Sequence, residues 1–207
     1  MPVSIGQFGS AGNLKNPAEP LALGYRVNYI KNPSFEVDTT DWVAGGGATI
    51  ARVTGDFYTG SAALEVTNAA GSFVNIQDRI PLLSEGPFQV SAYVKLLPGT
   101  STANYYLRYL QYETVDSTST VDFANLGTTS LSVTGNWVRL SGSFTKAPIG
   151  NYAVIRVVTA SAVSGDKFLV DSVMFEDTAT LGTYFDGSNG GFWTGTPNNS
   201  YSGASPY

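Results

Sequence analysis

The sequence contains no cysteine and no histidine among its 207 residues. Without cysteine there is no disulfide frame, no thiolate nucleophile and no cysteine-held metal, and the redox compartment leaves no mark. Without histidine, the commonest general base and the commonest zinc ligand are missing, so Ser-His-Asp and Cys-His arrangements cannot be built from this chain. Only carboxylates remain for acid–base chemistry. Charge is also scarce: Asp, Glu, Lys and Arg make up 13%, about half the ordinary share of a globular domain. The balance is −5, with no cluster of Lys or Arg anywhere. Nucleic acid needs several phosphate-neutralising cations on one face, so it is excluded as a partner. The opening MPVSIGQFGSAG has neither a basic n-region nor an apolar core and is not expected to act as a Sec signal. No apolar run approaches membrane-spanning length, so no membrane insertion is expected.

What is present points to strands. Hydrophobic residues are 43% and glycines number 23, a profile of β-sheets whose outer faces carry Thr and Ser. Residues 1–27 hold Pro2, Pro17 and Pro20 without periodicity and read as an extended N-terminal arm, with one short strand near Gly24–Asn28. From 28 to 177 short β-branched and aromatic segments follow one another: ATIARVTG, SAALEVTN, SFVNIQDRI, FQVSAYVKLL, YYLRYLQYE, WVRLSGSFT, YAVIRVVTA and KFLVDSVMF. Turn formers such as PGT, TGN, PIGN and SGD separate most of them. In FQVSAYVKLL, Phe88, Val90, Ala92 and Val94 form one face, with Ser91, Tyr93 and Lys95 on the other. No segment keeps a helical period over three turns. The expectation is an all-β jelly-roll sandwich with an extension at each end, the second over 178–207.

Certain stretches are more specific. Asn32-Pro33-Ser34-Phe35-Glu36, then Trp42, then Gly60-Ser61 leading into ALEV, resemble the opening of carbohydrate-binding modules of the family 4/9/22 jelly-roll type. FQVSAYVKL, TGNWVRLSGSFT and DKFLVDSVMFED resemble that family's middle, Trp-led and closing strands, in the same order. The C-terminal TYFDGSNGGFWTGTPNNS resembles the ending of minor tail proteins from phages of actinobacteria. Together these resemblances imply a non-enzymatic virion protein, displaying a carbohydrate-binding-like domain to host cell-envelope glycan. Its partners would then be other virion tail proteins and further copies of itself. A purely structural tail or head-decoration protein, and a detached binding module of a polysaccharide hydrolase, are the alternatives.

The resemblance also suggests roles for residues. Glu36 and Asp171 would meet and hold a structural Ca²⁺, with backbone carbonyls near Asn32 and Ser61 completing the shell. The alternative is that Glu36 caps a turn while Asp171 accepts backbone N–H bonds; Asp38 and Asp41 offer a different loop site. Trp42 and Trp137 stand where the family places structural tryptophans. A sugar groove needs aromatic faces flanked by planar polar groups. Tyr93, Lys95 and Arg139 have outward parity, if their strands share one face. In NYYLRYLQYE we place Arg108 and Tyr112 outside, although both faces are half apolar. The alternative for these tyrosines is rim packing or a protein interface. Glycosidase work would need two carboxylates with one raised pKa; Glu36 and Asp171 sharing a cation would both stay ionised. Asp56, Glu113, Asp116 and Asp122 fall in or beside turns, so catalysis is not expected. Tyr184, Phe185, Phe192 and Trp193 in the glycine-rich tail are expected to anchor against a neighbouring subunit; the alternative is that the tail folds back over its own sandwich.

Overall fold

The alternation in FQVSAYVKL builds the middle of the molecule: β7 (Phe88–Leu96) buries Phe88, Val90, Ala92 and Val94 and leaves Tyr93 and Lys95 half-exposed on its other side. The computed structural model describes residues 24–69, 73–76, 78–101, 103–131, 135–160 and 163–205; the rest of the expected arm, residues 1–23, lies outside them. β7 runs between β10 (Val138–Phe144) and β12 (Lys167–Asp177), and β12 continues through β4 (Ala62–Thr67) to β3 (Thr49–Thr54). All pairings in this five-stranded back sheet are antiparallel. The six-stranded front sheet has the order β2 (Trp42–Gly45), β5 (Phe73–Ile76), β11 (Tyr152–Ala160), β8 (Ala103–Tyr112), β9 (Asp122–Leu131), with β6 (Ile80–Pro81) also on β11. The chain is thus an all-β sandwich of the jelly-roll kind.

Aromatic rings fill the space between the sheets. Tyr105 of β8 meets Phe168 of β12 edge-on at 5.0 Å, and Tyr109 stacks on Phe144 of β10 at 4.2 Å. Phe175 lies parallel to Phe144 at 5.8 Å. Such pairs contribute about 0.5–1.5 kcal/mol each beyond the area they bury. Trp42 is buried against Phe35 with its Nε1 donating to the Asn32 carbonyl at 3.0 Å, a core position as its motif suggests. Trp137 differs from expectation: it stays half-buried on the outer side of the back sheet, near Tyr58 and Lys95.

One side of the sandwich is drawn tight. Gly127 of β9 has φ +56, and a Cβ there would lie 2.2 Å from the Ser141 carbonyl oxygen of β10. Only glycine lets the two edge strands approach so closely.

A bulge in β12 sets the outer surface of the back sheet. The register shifts between Asp171 and Met174, with Ser172 at φ 52. Asp171 therefore faces outward beside Tyr93, and after the extra residue Met174 and Glu176 do the same. The tail covers this part. β1 (Arg26–Asn28) pairs with β14 (Ser202–Ala204), which pairs with β13 (Phe192–Trp193). The end of the arm and the end of the tail thus form one small sheet. Beneath it Met174, Phe185 and Ala204 form a second apolar cluster with Leu181 and Tyr184. Arg26 pairs with Glu176 at 2.7 Å and lies over the Phe185 ring at 4.6 Å. Buried Asn28 accepts from the Ile30 and Phe175 amides and donates to the carbonyls of Val173 and Phe185, tying this sheet to β12.

Candidate functional site

The five residues expected to line one sugar groove lie on two opposite faces. β7 and β10 belong to the back sheet and β8 to the front sheet, so Tyr93, Lys95 and Arg139 point away from Arg108 and Tyr112. Two sheets about 10 Å apart, with outward side chains on each, cannot bring these groups together.

On the back sheet the first three already have partners. Tyr58 stacks on Tyr93 with centroids 3.5 Å apart, removing that ring face from any ligand. Lys95 pairs with Asp56 at 2.7 Å. Arg139 donates to Ser91 Oγ and to the Gly182 carbonyl, each at 2.9 Å. A cavity of about 240 Å³ remains between the Tyr58–Thr59 loop and the tail at Thr183, Tyr184 and Asn189.

Glu36 and Asp171 converge on that same loop. Asp171, fully buried, accepts from the amides of Tyr58 at 2.7 Å, Thr59 at 3.0 Å and Ser172 at 2.5 Å. Glu36 accepts from the Ser61 amide and from Ser61 Oγ, the latter at 2.6 Å. Arg52 donates to the carbonyls of Phe35 and Glu36. This donor set does not fit a calcium ion. All four carboxylate oxygens face N–H or O–H donors, and a guanidinium holds the neighbouring carbonyls. Nor does a group of three or more acidic side chains suited to a metal occur among the described residues. Burial pushes the Asp171 carboxyl up to about 7 against the pull of its N–H donors. Asp38 accepts from Asn32 and from the Thr40 amide, a turn-forming role, while Asp41 borders a small hollow with Lys31 and Asp78.

The tail rings are engaged within the chain. Phe185 is 2% exposed and has no surface left for a neighbouring subunit, which corrects the anchoring role expected of it. Tyr184 donates its hydroxyl to Asp186 at 2.7 Å. Phe192 meets Tyr25 edge-on at 5.3 Å, and Trp193 lies against Gly187, where a Cβ would come within 2.2 Å of the indole. Apolar rings without strand periodicity find cover here on their own sandwich, through glycines that let the rings lie close.

The front sheet is different. Tyr105, Leu107, Tyr109 and Gln111 of β8 are buried between the sheets, so by strand alternation Tyr106, Arg108, Leu110 and Tyr112 take the outer face, the parity expected for Arg108 and Tyr112, although Leu110 and Tyr112 are themselves buried. Strand register places Asn125, Arg108, Arg156 and Asn75 in one row across β9, β8, β11 and β5. Arg108 donates from Nε to Asn125 Oδ1 at 2.8 Å and from Nη2 to Tyr106 Oη at 3.3 Å. Arg156 lies 4.2 Å over the Phe73 ring, and its Nε is buried with no hydrogen-bond partner. Burial lowers the Arg156 pKa, and the Arg108 charge adds to this against an opposing contribution from Tyr112. Phe123, in register with Leu110, is 59% exposed. Tyr112 is covered by the Arg79 guanidinium at 3.4 Å, so its ring face is not free for stacking. The reading from sequence misses Arg156, Asn125 and Phe123. For Arg156 a signal exists: it is the sole charge in YAVIRVVTA, an arginine amid β-branched neighbours.

A jelly-roll sandwich with one face of planar polar groups between rings has the form of a carbohydrate-binding module. The chain belongs to the family of carbohydrate binding domains (CBM_4_9), which it matches over residues 27–162. No curated protein matches the chain. Among solved structures it is similar to the C-terminal family 22 carbohydrate binding module of Clostridium thermocellum Xyn10B. That likeness has 16% identity and TM-score 0.61 over 74% of this chain and 96% of that one. It is similar also to the CBM22-1 xylan-binding domain of Paenibacillus barcinonensis Xyn10C, at 19% identity and TM-score 0.58 over 74% and 98%. A family 16 carbohydrate binding module is matched at 14% identity and TM-score 0.53 over 72% and 99%. At these identities the likeness speaks for the fold.

Proposed function

We propose that the chain is a non-catalytic glycan-binding module that holds its sugar across the outer face of the front sheet. The observation that carries this reading is the in-register row of Asn125, Arg108, Arg156 and Asn75, bordered by the rings of Tyr106, Phe73 and Phe123. Guanidinium and amide groups donate in their plane to ring hydroxyls, while an exposed aromatic takes the C–H face of a pyranose. Three inter-strand steps span about 14 Å, which suits the side of a glycan chain rather than its end. Xylan is the first polysaccharide to try, because domains of this fold are described as xylan-binding.

Affinity electrophoresis of the whole chain in polysaccharide gels tests the reading. Retardation by at least one glycan is expected, lost in Arg108→Ala and kept in Tyr93→Ala. Free migration through every gel, or equal loss in both variants, would refute the assignment.

Two settings suit such a module. The resemblance of residues 183–200 to phage tail proteins supports display on a virion, where many copies raise the effective concentration of a weak site. The xylanase modules of the same fold favour instead a binding module of a polysaccharide hydrolase. Mass spectrometry of purified particles decides between them: recovery of this chain in stoichiometric amount supports the virion, and its absence refutes it.

A further inference from the structure

The cations among the described residues fall into three groups. Arg26, Lys31, Lys95, Lys146 and Lys167 each have a carboxylate within 4 Å. Arg52, Arg79 and Arg139 donate to backbone carbonyls. Arg108 and Arg156 have neither among their described contacts, and they stand directly opposite one another in strand register. Like charges so placed oppose each other across a strand pair. Asp and Glu number 16 against 11 Lys and Arg, yet no outward position of β2, β5, β8, β9 or β11 is Asp or Glu. Asp122, the acid that these strands do contain, points inward to Tyr109 and Gln111. A buried guanidinium Nε without an acceptor carries a desolvation cost. Packing alone accounts for the stem of Arg156 on Phe73, but not for a second arginine beside it with no carboxylate of the described residues within 4 Å of either.

We propose that the ligand of this face is a glycan bearing an oxyanion, a uronate carboxylate or a phosphodiester, received between Arg108 and Arg156. The proposal rests on the glycan-binding reading and narrows it. A planar guanidinium matches the two oxygens of a carboxylate or phosphate in a fork that a neutral hydroxyl cannot fill. With the anion between them, the two arginines lose their mutual repulsion. The flanking rings and Asn125 remain for the sugar itself, which separates this site from a plain polyanion patch.

Isothermal titration of the whole chain with matched ligands tests it. The probes are neutral xylan, the same backbone carrying glucuronate, a glycerol-phosphate wall polymer, and polyglutamate as a sugar-free polyanion. Tighter binding by at least tenfold to one anionic glycan over neutral xylan is expected, weakening as NaCl rises from 50 to 500 mM. Whether the uronate or the phosphate polymer binds names the source of the oxyanion. Arg156→Gln and Arg108→Gln should each remove most of that preference, with Lys167→Gln on the other sheet as an equal-charge control. Equal affinity for neutral and acidic xylan would overturn this proposal and leave the glycan-binding reading standing. Equal affinity for polyglutamate would overturn it too, and binding to no glycan would overturn both. The wild-type comparison decides the matter even where an arginine variant folds poorly.

Discussion

Replacing Asp171 by asparagine should flatten the dependence of the melting temperature on pH. Two effects compete at this carboxyl. Full burial penalises the charged form, whereas three backbone N–H donors from Tyr58, Thr59 and Ser172 favour it. Burial prevails, lifting the group from 3.8 to about 7. A pKa raised in the folded state means that the folded chain holds the proton more tightly than the unfolded one. Stability from this group is therefore fully present below about pH 4 and is lost as pH rises through 7. The full shift corresponds to about 4 kcal/mol, and at about 2–4 °C per kcal/mol for a chain of this size the upper bound is about 8–16 °C. Glu176 and Asp41 are raised by burial as well and act in the same sense. Thermal unfolding followed by circular dichroism from pH 5 to pH 8 measures the slope. The wild type should melt progressively lower toward pH 8, with most of the slope absent in Asp171→Asn. A melting temperature that climbs with pH would show that the N–H donors outweigh burial; an unchanged slope in the variant would place the effect elsewhere.

Three other perturbations follow from the packing. Because the oxygens of Glu36 and Asp171 face N–H and O–H donors, neither EDTA nor millimolar Ca²⁺ should move the melting temperature by more than about 1 °C; stabilisation by several degrees in calcium would mean that a site forms there. Gly127→Ala forces a Cβ to within 2.2 Å of the Ser141 oxygen at a positive φ. It should cost about 3 kcal/mol, readable by urea denaturation, and a neutral result would refute the close seam between β9 and β10. Phe185→Ala empties the cluster under the tail and should cost about 3–5 kcal/mol or release the tail. Limited proteolysis would show release as rapid cleavage within 187–199, and unchanged resistance and stability would count against the docking described.

Much of the sandwich is legible in the sequence because its inner strands carry their own pattern. YAVIRVVTA and FQVSAYVKL alternate, or run apolar, strongly enough to locate β11 and β7 within a residue or so. β9 is not legible: half of DFANLGTTSL is Thr, Ser, Asn and Gly, with the alternating exposure of an edge strand that shows only once β8 lies beside it. The short β13 and β14 exist because Gly203 admits the Phe192 ring, a tertiary accommodation with no local propensity behind it. For the site, parity tells inside from outside but not which sheet a strand joins. β7 and β8 are consecutive, yet they lie in opposite sheets, so Tyr93 and Arg108 share outward parity and point in opposite directions. The aromatic tail is legible as sticky but not as to what it sticks to, since ring composition is the same for a subunit interface and for a self-covering flap.

The division of charge between the faces supports the proposed placing of the ligand on the front sheet. Glu65, Asp171 and Glu176 all project from the outer side of the back sheet, and they hold Lys167, the Tyr58–Thr59 amides and Arg26 respectively. Each contact fastens a strand, a loop or the tail, so removing one should act on stability and leave ligand affinity alone. The front sheet has no such acids at its outward positions, and its arginines lean on rings instead. At moderate salt the field of an exposed charge reaches about 10 Å, so an approaching anion meets the two faces as electrostatically distinct. The same segregation keeps the acidic back from competing for Arg108 and Arg156, because the core lies between them. A module that satisfied its cations internally on both faces would leave no arginine for a ligand; here, among the described residues, the two arginines with neither a carboxylate nor a carbonyl partner stand together in one row of one sheet.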